Sequence, residues 1–159
     1  MGRIPAAKDM ISAIITKPQP GDRLVANTTF EVAVQTRNLH TGFQVNPQTT
    51  YYTAPQDLDE NGLVLGHCHV VVQRLDSLRS TVPPDPTQFV FFKGINDVGD
   101  KGMLRAQVTA GLPSGFYRVC TMLAARNHQP VVMPLAQRGA QDDCTKFAIV
   151  DSSEDGGSP

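Results

Sequence analysis

Two histidines separated by one residue, His67 and His69, are the side chains of this sequence whose type and spacing best suit metal chemistry. Residues i and i+2 of a β-strand project from the same face, about 6.6 Å apart along the chain. Two imidazoles can therefore point toward one ion. A third is available at His128, within Asn127-His128-Gln129-Pro130. We predict a metal site formed by these three histidines.

Three neutral imidazoles with an open fourth position suit a Cu or Zn ion, and the fourth position would take water or a ligand from a partner. No carboxylate base is evident beside them, so no catalytic residue is predicted. The alternative interpretation is that His67 and His69 are polar residues on a solvated sheet face and His128 is a loop residue. His40 has no spaced partner and is left out of the site.

The histidine pair lies in the most strand-like segment, Leu63 to Leu75 (LVLGHCHVVVQRL). Cys68, Val70 and Val72 form an unbroken row of small apolar side chains, which favours their face as the core face. His67 and His69 then face outward or into a cleft. Leu65 and Val71 share the histidine face and weaken this prediction.

The rest of the chain alternates with period two between closely spaced turn signals, and no helical periodicity is sustained. Leu112-Pro113-Ser114-Gly115 before Tyr117 is typical of immunoglobulin-like sandwiches, in which a tyrosine packs at the corner and the following strand is an antiparallel neighbour of the histidine strand. This pairing would bring His128 toward Gly66. We predict an all-β, immunoglobulin-like antiparallel sandwich of about seven strands, with a barrel as the alternative. The strands are expected at 11–16, 29–36, 63–75, 88–93, 103–110, 116–125 and 144–150.

With 159 residues, of which 40% are hydrophobic, the chain can bury one ordinary core. We expect a flexible segment over residues 1–10, one sandwich domain over 11–150 and a disordered acidic tail over 151–159. The formal net charge is −1 without a basic cluster, which argues against nucleic acid as a partner. No apolar run is long enough to span a bilayer.

Cys120 and Cys144 lie on the last two predicted strands, on the faces opposite the apolar rows, so a disulfide between them is expected if the strands pair. Cys68 points away from the histidines and is predicted to be a core residue. Asn27 begins a permitted glycosylation triplet. Together with a Thr-, Pro- and Gly-rich composition, these features favour secretion, although the opening residues lack the apolar centre of a signal peptide.

Several stretches resemble a poorly characterised family of secreted fungal proteins: Gly66-His67-Cys68-His69-Val70, Leu112 to Val119, and Asn127 to Pro130 followed by Ala136 to Cys144 (AQRGAQDDC). The resemblance covers about residues 11 to 150. The histidine strand and the later Asn-His-x-Pro turn are also similar to certain small exported bacterial β domains. The resemblance implies a joint site of three histidines but no reaction, and Cys68 departs from the small or hydroxylated residue expected between the pair.

Three functions are compatible with these features. The favoured one is a secreted, non-catalytic protein that binds Cu or Zn through the three histidines. The second is a module that binds cell-wall glycan or a surface protein without metal, with Tyr51, Tyr52, Phe91 and Phe92 as the available aromatic side chains. The third is a copper-dependent redox enzyme, which requires an open metal position and a substrate cleft.

Overall fold

The computed structural model describes residues 1–152, and in this part the chain is built mainly from nine β-strands. A 3-10 turn lies at Ala7–Asp9 and a short helix, α1, at Pro47–Thr50. The strands are β1 (Ser12–Lys17), β2 (Arg23–Val25), β3 (Phe30–Arg37), β4 (Leu39–His40), β5 (Val64–Leu75), β6 (Phe91–Ile95), β7 (Met103–Val108), β8 (Gly115–Ala125) and β9 (Cys144–Val150).

These strands form two sheets that enclose one core. The smaller sheet has the order β1-β3-β7, and the larger has β2-β9-β8-β5, with β4 and β6 pairing with different parts of the remaining edge of β5. Val32 and Leu104 of the smaller sheet and Val70 and Phe147 of the larger belong to the same buried cluster. The architecture is the immunoglobulin-like sandwich that the sequence predicts.

The apolar row of β5 faces this core, as the alternation predicts: Cys68, Val70 and Val72 are all completely buried. Cys68 carries a free thiol, and burial raises its pKa to about 12. A thiol that stays protonated is neither a nucleophile nor a metal ligand at neutral pH. Cys68 is therefore a small core residue.

Two strands and the helix lie outside the predicted set, within connections that the sequence suggested were irregular. β2 and β4 contain three and two residues and pair in parallel with β9 and β5. Segments this short cannot display a period of two. β6 begins at Phe91 rather than at residue 88, because the Gln88 amide donates to the Asp85 carbonyl in a turn.

Tyr117, the third residue of β8, forms the predicted corner at the entry to this strand. Its ring is completely buried, and its hydroxyl donates to the Pro113 carbonyl at 2.7 Å, four residues upstream. A tyrosine bonded to the backbone at this position is characteristic of immunoglobulin-like sandwiches. The bond fixes the direction in which the chain enters β8.

Replacing Tyr117 with phenylalanine should lower the free energy of unfolding by about 1 kcal/mol, because the ring still packs but the hydrogen bond is lost. Urea unfolding measures this difference. The control is Tyr52→Phe, since Tyr52 is 89% exposed and should tolerate the change. Equal stability of the two variants would contradict the role assigned to Tyr117.

The N-terminal segment, for which the sequence predicts flexibility, is tethered to the domain. The Arg3 amide donates to the Gln56 carbonyl at 2.9 Å, and the Gln56 side chain donates back to the Arg3 carbonyl at 3.0 Å. Arg3 also forms an ion pair with Asp57.

Of the predicted acidic tail, residues 153–159 lie outside the described part of the chain. No helix within residues 1–152 is long and apolar enough to cross a membrane.

Cys120 and Cys144 form the predicted disulfide between directly paired residues of β8 and β9. The two aspartates just before Cys144 are structural. Asp142 accepts from the Thr121 hydroxyl and the Leu123 amide, where β8 has passed the end of β9. Asp143 accepts from the Ile15 amide of β1 and so links the two sheets. The conformation before β9 is thus held by these two carboxylates together with the Thr121 amide of β8, which donates to the Asp143 carbonyl at 2.9 Å.

Candidate metal centre

The turn that carries His128 lies beside the histidine strand because β8 runs antiparallel to β5. Gly66 pairs with Ala125, the last residue of β8, and the His128 amide donates to the Ala125 carbonyl at 2.9 Å to close the turn. The strands approach so closely that a Cβ on Gly66 would lie 2.1 Å from the Ala124 carbonyl oxygen. Glycine is therefore required just before the pair.

Three consecutive side chains of this turn form hydrogen bonds with backbone carbonyls of the segment between β4 and β5. Asn127 donates to the Ala54 carbonyl at 2.9 Å, His128 Nε2 lies 2.6 Å from the Val45 carbonyl, and Gln129 donates to the Tyr51 carbonyl. His128 has a φ of 66°, in the left-handed region that non-glycine residues rarely occupy. The Asn-His-Gln sequence thus anchors a long connection and directs one imidazole.

His67 occupies the outer face of the larger sheet, as predicted, but it is completely buried rather than solvent-facing. The connection after β4 covers it: the Phe43 amide donates to the Gly66 carbonyl at 3.1 Å, and the Val45 amide donates to the Arg126 carbonyl at 2.8 Å. These bonds attach the connection to the sheet directly over the imidazole. The solvated-face interpretation is therefore wrong for His67.

The hydrogen bonds of His67 and His128 determine which nitrogens carry lone pairs. His67 Nδ1 lies 2.9 Å from the Phe43 carbonyl and His128 Nε2 lies 2.6 Å from the Val45 carbonyl. A carbonyl only accepts, so both of these nitrogens must carry hydrogen. In the neutral rings the other nitrogens, His67 Nε2 and His128 Nδ1, then carry lone pairs, and they lie 3.0 Å apart.

Two facing lone pairs at this distance repel each other unless a positive charge lies between or beside them. A metal ion that binds two imidazole nitrogens at about 2.0–2.1 Å in tetrahedral geometry places these nitrogens roughly 3.3 Å apart. This is close to the separation between His67 Nε2 and His128 Nδ1. Metal-binding histidines usually donate their second N–H to a carbonyl or carboxylate, as both rings do here. The pair has the tautomers and spacing of metal ligands.

His69 completes the group from the more open side. Its ring centroid lies 4.6 Å from that of His67 and 5.7 Å from that of His128. The ring packs beside Phe92 of β6 and over Gly94, where a Cβ would meet its Cδ2 at 3.2 Å. Gly94 thereby leaves room for the imidazole.

The pKa values of both strand histidines are lowered. Burial, reinforced by His69, lowers the pKa of His67 to about 4. Burial also lowers the pKa of His69, with the neighbouring His128 acting in the same direction. Both rings are therefore neutral at pH 7, and neutral imidazole is the form that binds metal.

One ligand atom from each of His67, His69 and His128 lies within 4.8 Å of the others. Within residues 1–152, no other group of three or more His, Cys, Asp or Glu side chains is placed to hold a metal ion. His40 lies outside it, with its Nδ1 2.7 Å from an Asp59 carboxylate oxygen. The sequence did not reveal the Phe43 and Val45 carbonyls, because every residue carries a carbonyl and none has a sequence signature.

Fold and site together define an all-β sandwich domain with three converging histidines on the outer face of its larger sheet. Residues 13–150 match the family model of the CLU5d N-terminal domain, and the chain belongs to that family. It is 55% identical over 151 residues to Pathogenicity cluster 5 protein d of Colletotrichum graminicola. The resemblance to a fungal family is thus confirmed. The chain spans 32% of that protein's length, and the match covers 94% of this chain.

Among solved structures, the fibronectin(III)-like modules of CbhA from Clostridium thermocellum are similar at 10% identity and a TM-score of 0.38. The match covers 87% of this chain and 46% of that one.

Proposed function

We propose that this domain binds one Cu²⁺ or Zn²⁺ ion through His67, His69 and His128. The observation that carries the proposal is the 3.0 Å separation between two imidazole nitrogens whose partner nitrogens both donate to backbone carbonyls. Imidazole is a suitable ligand for either metal. The remaining coordination position is left to water or to a group of a partner.

Metal binding without catalysis fits the site better than a catalytic role does. Two of the three rings are locked by the connection after β4, and among the described residues no carboxylate belongs to the group that would act as a general base. A hydrolytic zinc centre needs a base near its bound water. We therefore propose a non-catalytic metal-binding domain.

We also propose that the domain functions outside the cell. The disulfide between Cys120 and Cys144 favours an oxidising compartment, and Asn27 is exposed and available for glycosylation. The relative's name, Pathogenicity cluster 5 protein d, suggests a role in the contact between a fungus and its host.

The direct test is metal content and affinity. Protein purified without chelator or nickel resin should contain or take up one Cu²⁺ or Zn²⁺ per chain, measured by mass spectrometry and calorimetric titration. Metal at about 100 times its Kd stabilises by about 2.7 kcal/mol, which raises Tm by roughly 5–10 °C for a chain of this size. If neither metal binds at micromolar concentration nor shifts Tm, the proposal is wrong.

A second candidate is recognition of a wall glycan or surface protein, favoured by an apolar surface beside the site. Phe89 and Phe92 are 56% and 45% exposed, and with Met122 they line a pocket of about 260 Å³. Phe91, by contrast, packs against the core, so the aromatic side chains do not form one platform. Glycan-array binding that persists in metal-free protein would favour this candidate.

A further inference from the structure

Three polar residues form a row across the outer face of the larger sheet, away from the histidines. Gln73 of β5 pairs with Arg118 of β8, and Arg118 pairs with Lys146 of β9. Like charges directly opposite each other on neighbouring strands destabilise a sheet. None of the ion pairs formed among residues 1–152 includes Arg118 or Lys146. The repulsion between the two cations is thus not relieved by a carboxylate of the described chain.

The guanidinium of Arg118 is held in place but incompletely paired. Gln73 donates its amide hydrogens to the Asp85 and Gln88 carbonyls at 3.1 Å, which turns its oxygen toward Arg118. That oxygen accepts from Arg118 Nη2 at 2.7 Å. Arg118 Nε, however, is the one buried side-chain nitrogen or oxygen within residues 1–152 that has no hydrogen-bond partner.

A buried donor without an acceptor is costly, most of all in a charged group, so native structures nearly always supply one. No described residue supplies it here, and Nε itself is enclosed by the protein. An acceptor from solution, water or an anion, can therefore reach Arg118 only where its side chain lines a pocket.

The connection between β5 and β6 makes a pocket above the two cations. Lys146 Nζ donates to the Leu78 and Ser80 carbonyls at 3.3 and 3.4 Å, which holds the connection over the sheet. The pocket has a volume of about 210 Å³, and Ser80 and Thr81 line it together with Arg118, Lys146 and apolar side chains. No acidic side chain of residues 1–152 lines it.

The adjoining pocket is lined by Asp76 and Asp85. The Asp85 carboxylate accepts from the Thr87 amide and hydroxyl, both at 2.8 Å, and neither aspartate forms an ion pair with Arg118 or Lys146. The pocket over Arg118 and Lys146 is therefore lined by two cations and, among the described residues, by no carboxylate.

We propose that this pocket binds a small oxyanion, such as phosphate or a carboxylate group, between Arg118 and Lys146. Guanidinium and ammonium donors are the usual partners of such oxygens, and charge-assisted hydrogen bonds are the stronger kind. Gln73 lies four residues beyond His69 on the same strand, about 13 Å away, so this site is separate from the metal centre.

The test is a thermal-shift series on metal-free protein, with the chelator removed by dialysis, in sodium phosphate, sulfate, acetate or chloride at equal ionic strength. An anion at ten times its Kd should raise Tm by about 3–5 °C over chloride. Arg118→Gln and Lys146→Met should lose this response. Arg105→Gln should keep it, since Arg105 pairs with Glu31 on the other sheet. The ranking of the anions identifies which oxyanion fits.

A second measurement keeps the proposal testable if Arg118→Gln does not fold. The Arg118 Nε–H resonance in ¹⁵N NMR spectra of the unmodified protein should shift on titration with the best anion and saturate at one equivalent. An unshifted resonance, or a Tm that responds equally in chloride and in the other salts, would show that no oxyanion binds between Arg118 and Lys146, and would overturn the proposal. Metal binding at the histidines is unaffected by either outcome.

Discussion

The variant His67→Ala is expected to weaken Cu²⁺ or Zn²⁺ binding by more than about 100-fold. Even the loss of a residue that only hydrogen-bonds to a metal ligand lowers metal affinity 10- to 100-fold, and His67 is proposed as a ligand itself. It should also lower the stability of the metal-free protein by about 1–3 kcal/mol, since the Phe43 carbonyl loses its hydrogen-bond donor and is left unsatisfied. Calorimetric titration and urea unfolding measure the two effects.

The variant His69→Ala should distinguish an effect on metal affinity from an effect on the stability of the fold. His69 is only partly buried, so its removal should weaken metal binding strongly while changing the free energy of unfolding little. His40→Ala is the matched control, because His40 pairs with Asp59 outside the group. If His40→Ala weakened metal binding as much as His69→Ala did, the assignment of the three ligands would fail.

Loss of the disulfide is expected to have the largest effect on stability. Cys120 and Cys144 are 24 residues apart in sequence, and closing a loop of that length contributes about 3 kcal/mol in the chain-entropy model. The double variant Cys120→Ala/Cys144→Ala should therefore unfold roughly 6–12 °C lower than the unmodified protein. Calorimetry or circular dichroism measures the midpoint.

A reducing agent provides the matching control for this prediction. It should destabilise the unmodified protein by a similar amount and leave the double variant unchanged, because Cys68 is buried and unpaired. Metal affinity should change much less than stability, because the His67 and His128 rings are held by the Phe43 and Val45 carbonyls and not by the disulfide. A double variant as stable as the unmodified protein would contradict the expected contribution of the cross-link.

The fold was largely predictable because burial leaves a periodic pattern. Alternation in β5 assigned Cys68, Val70 and Val72 to the core, and the turn before Tyr117 indicated the sandwich corner. Short parallel pairs such as β2 with β9 were missed, because three residues are too few to show a period. The contacts of Arg3 with residues 56 and 57 were missed because a polar segment can be held by hydrogen bonds without burying apolar surface.

The candidate site was likewise predictable from the sequence only in part. The spacing of His67 and His69 and the antiparallel pairing of β5 with β8 were enough to expect His128 nearby. The burial of His67 was not foreseen, since the connection that covers it is polar and aperiodic.

The sequence alone determined that His67 and His69 share one strand face, because side chains alternate strictly along a β-strand. Only the tertiary structure decided that this face is covered at His67, that His128 reaches His67, and which nitrogen is free in each of these two rings. Those outcomes depend on the Phe43 and Val45 carbonyls. Backbone groups of this kind occur at every residue, so their positions are set by the folded chain and not by the type of amino acid.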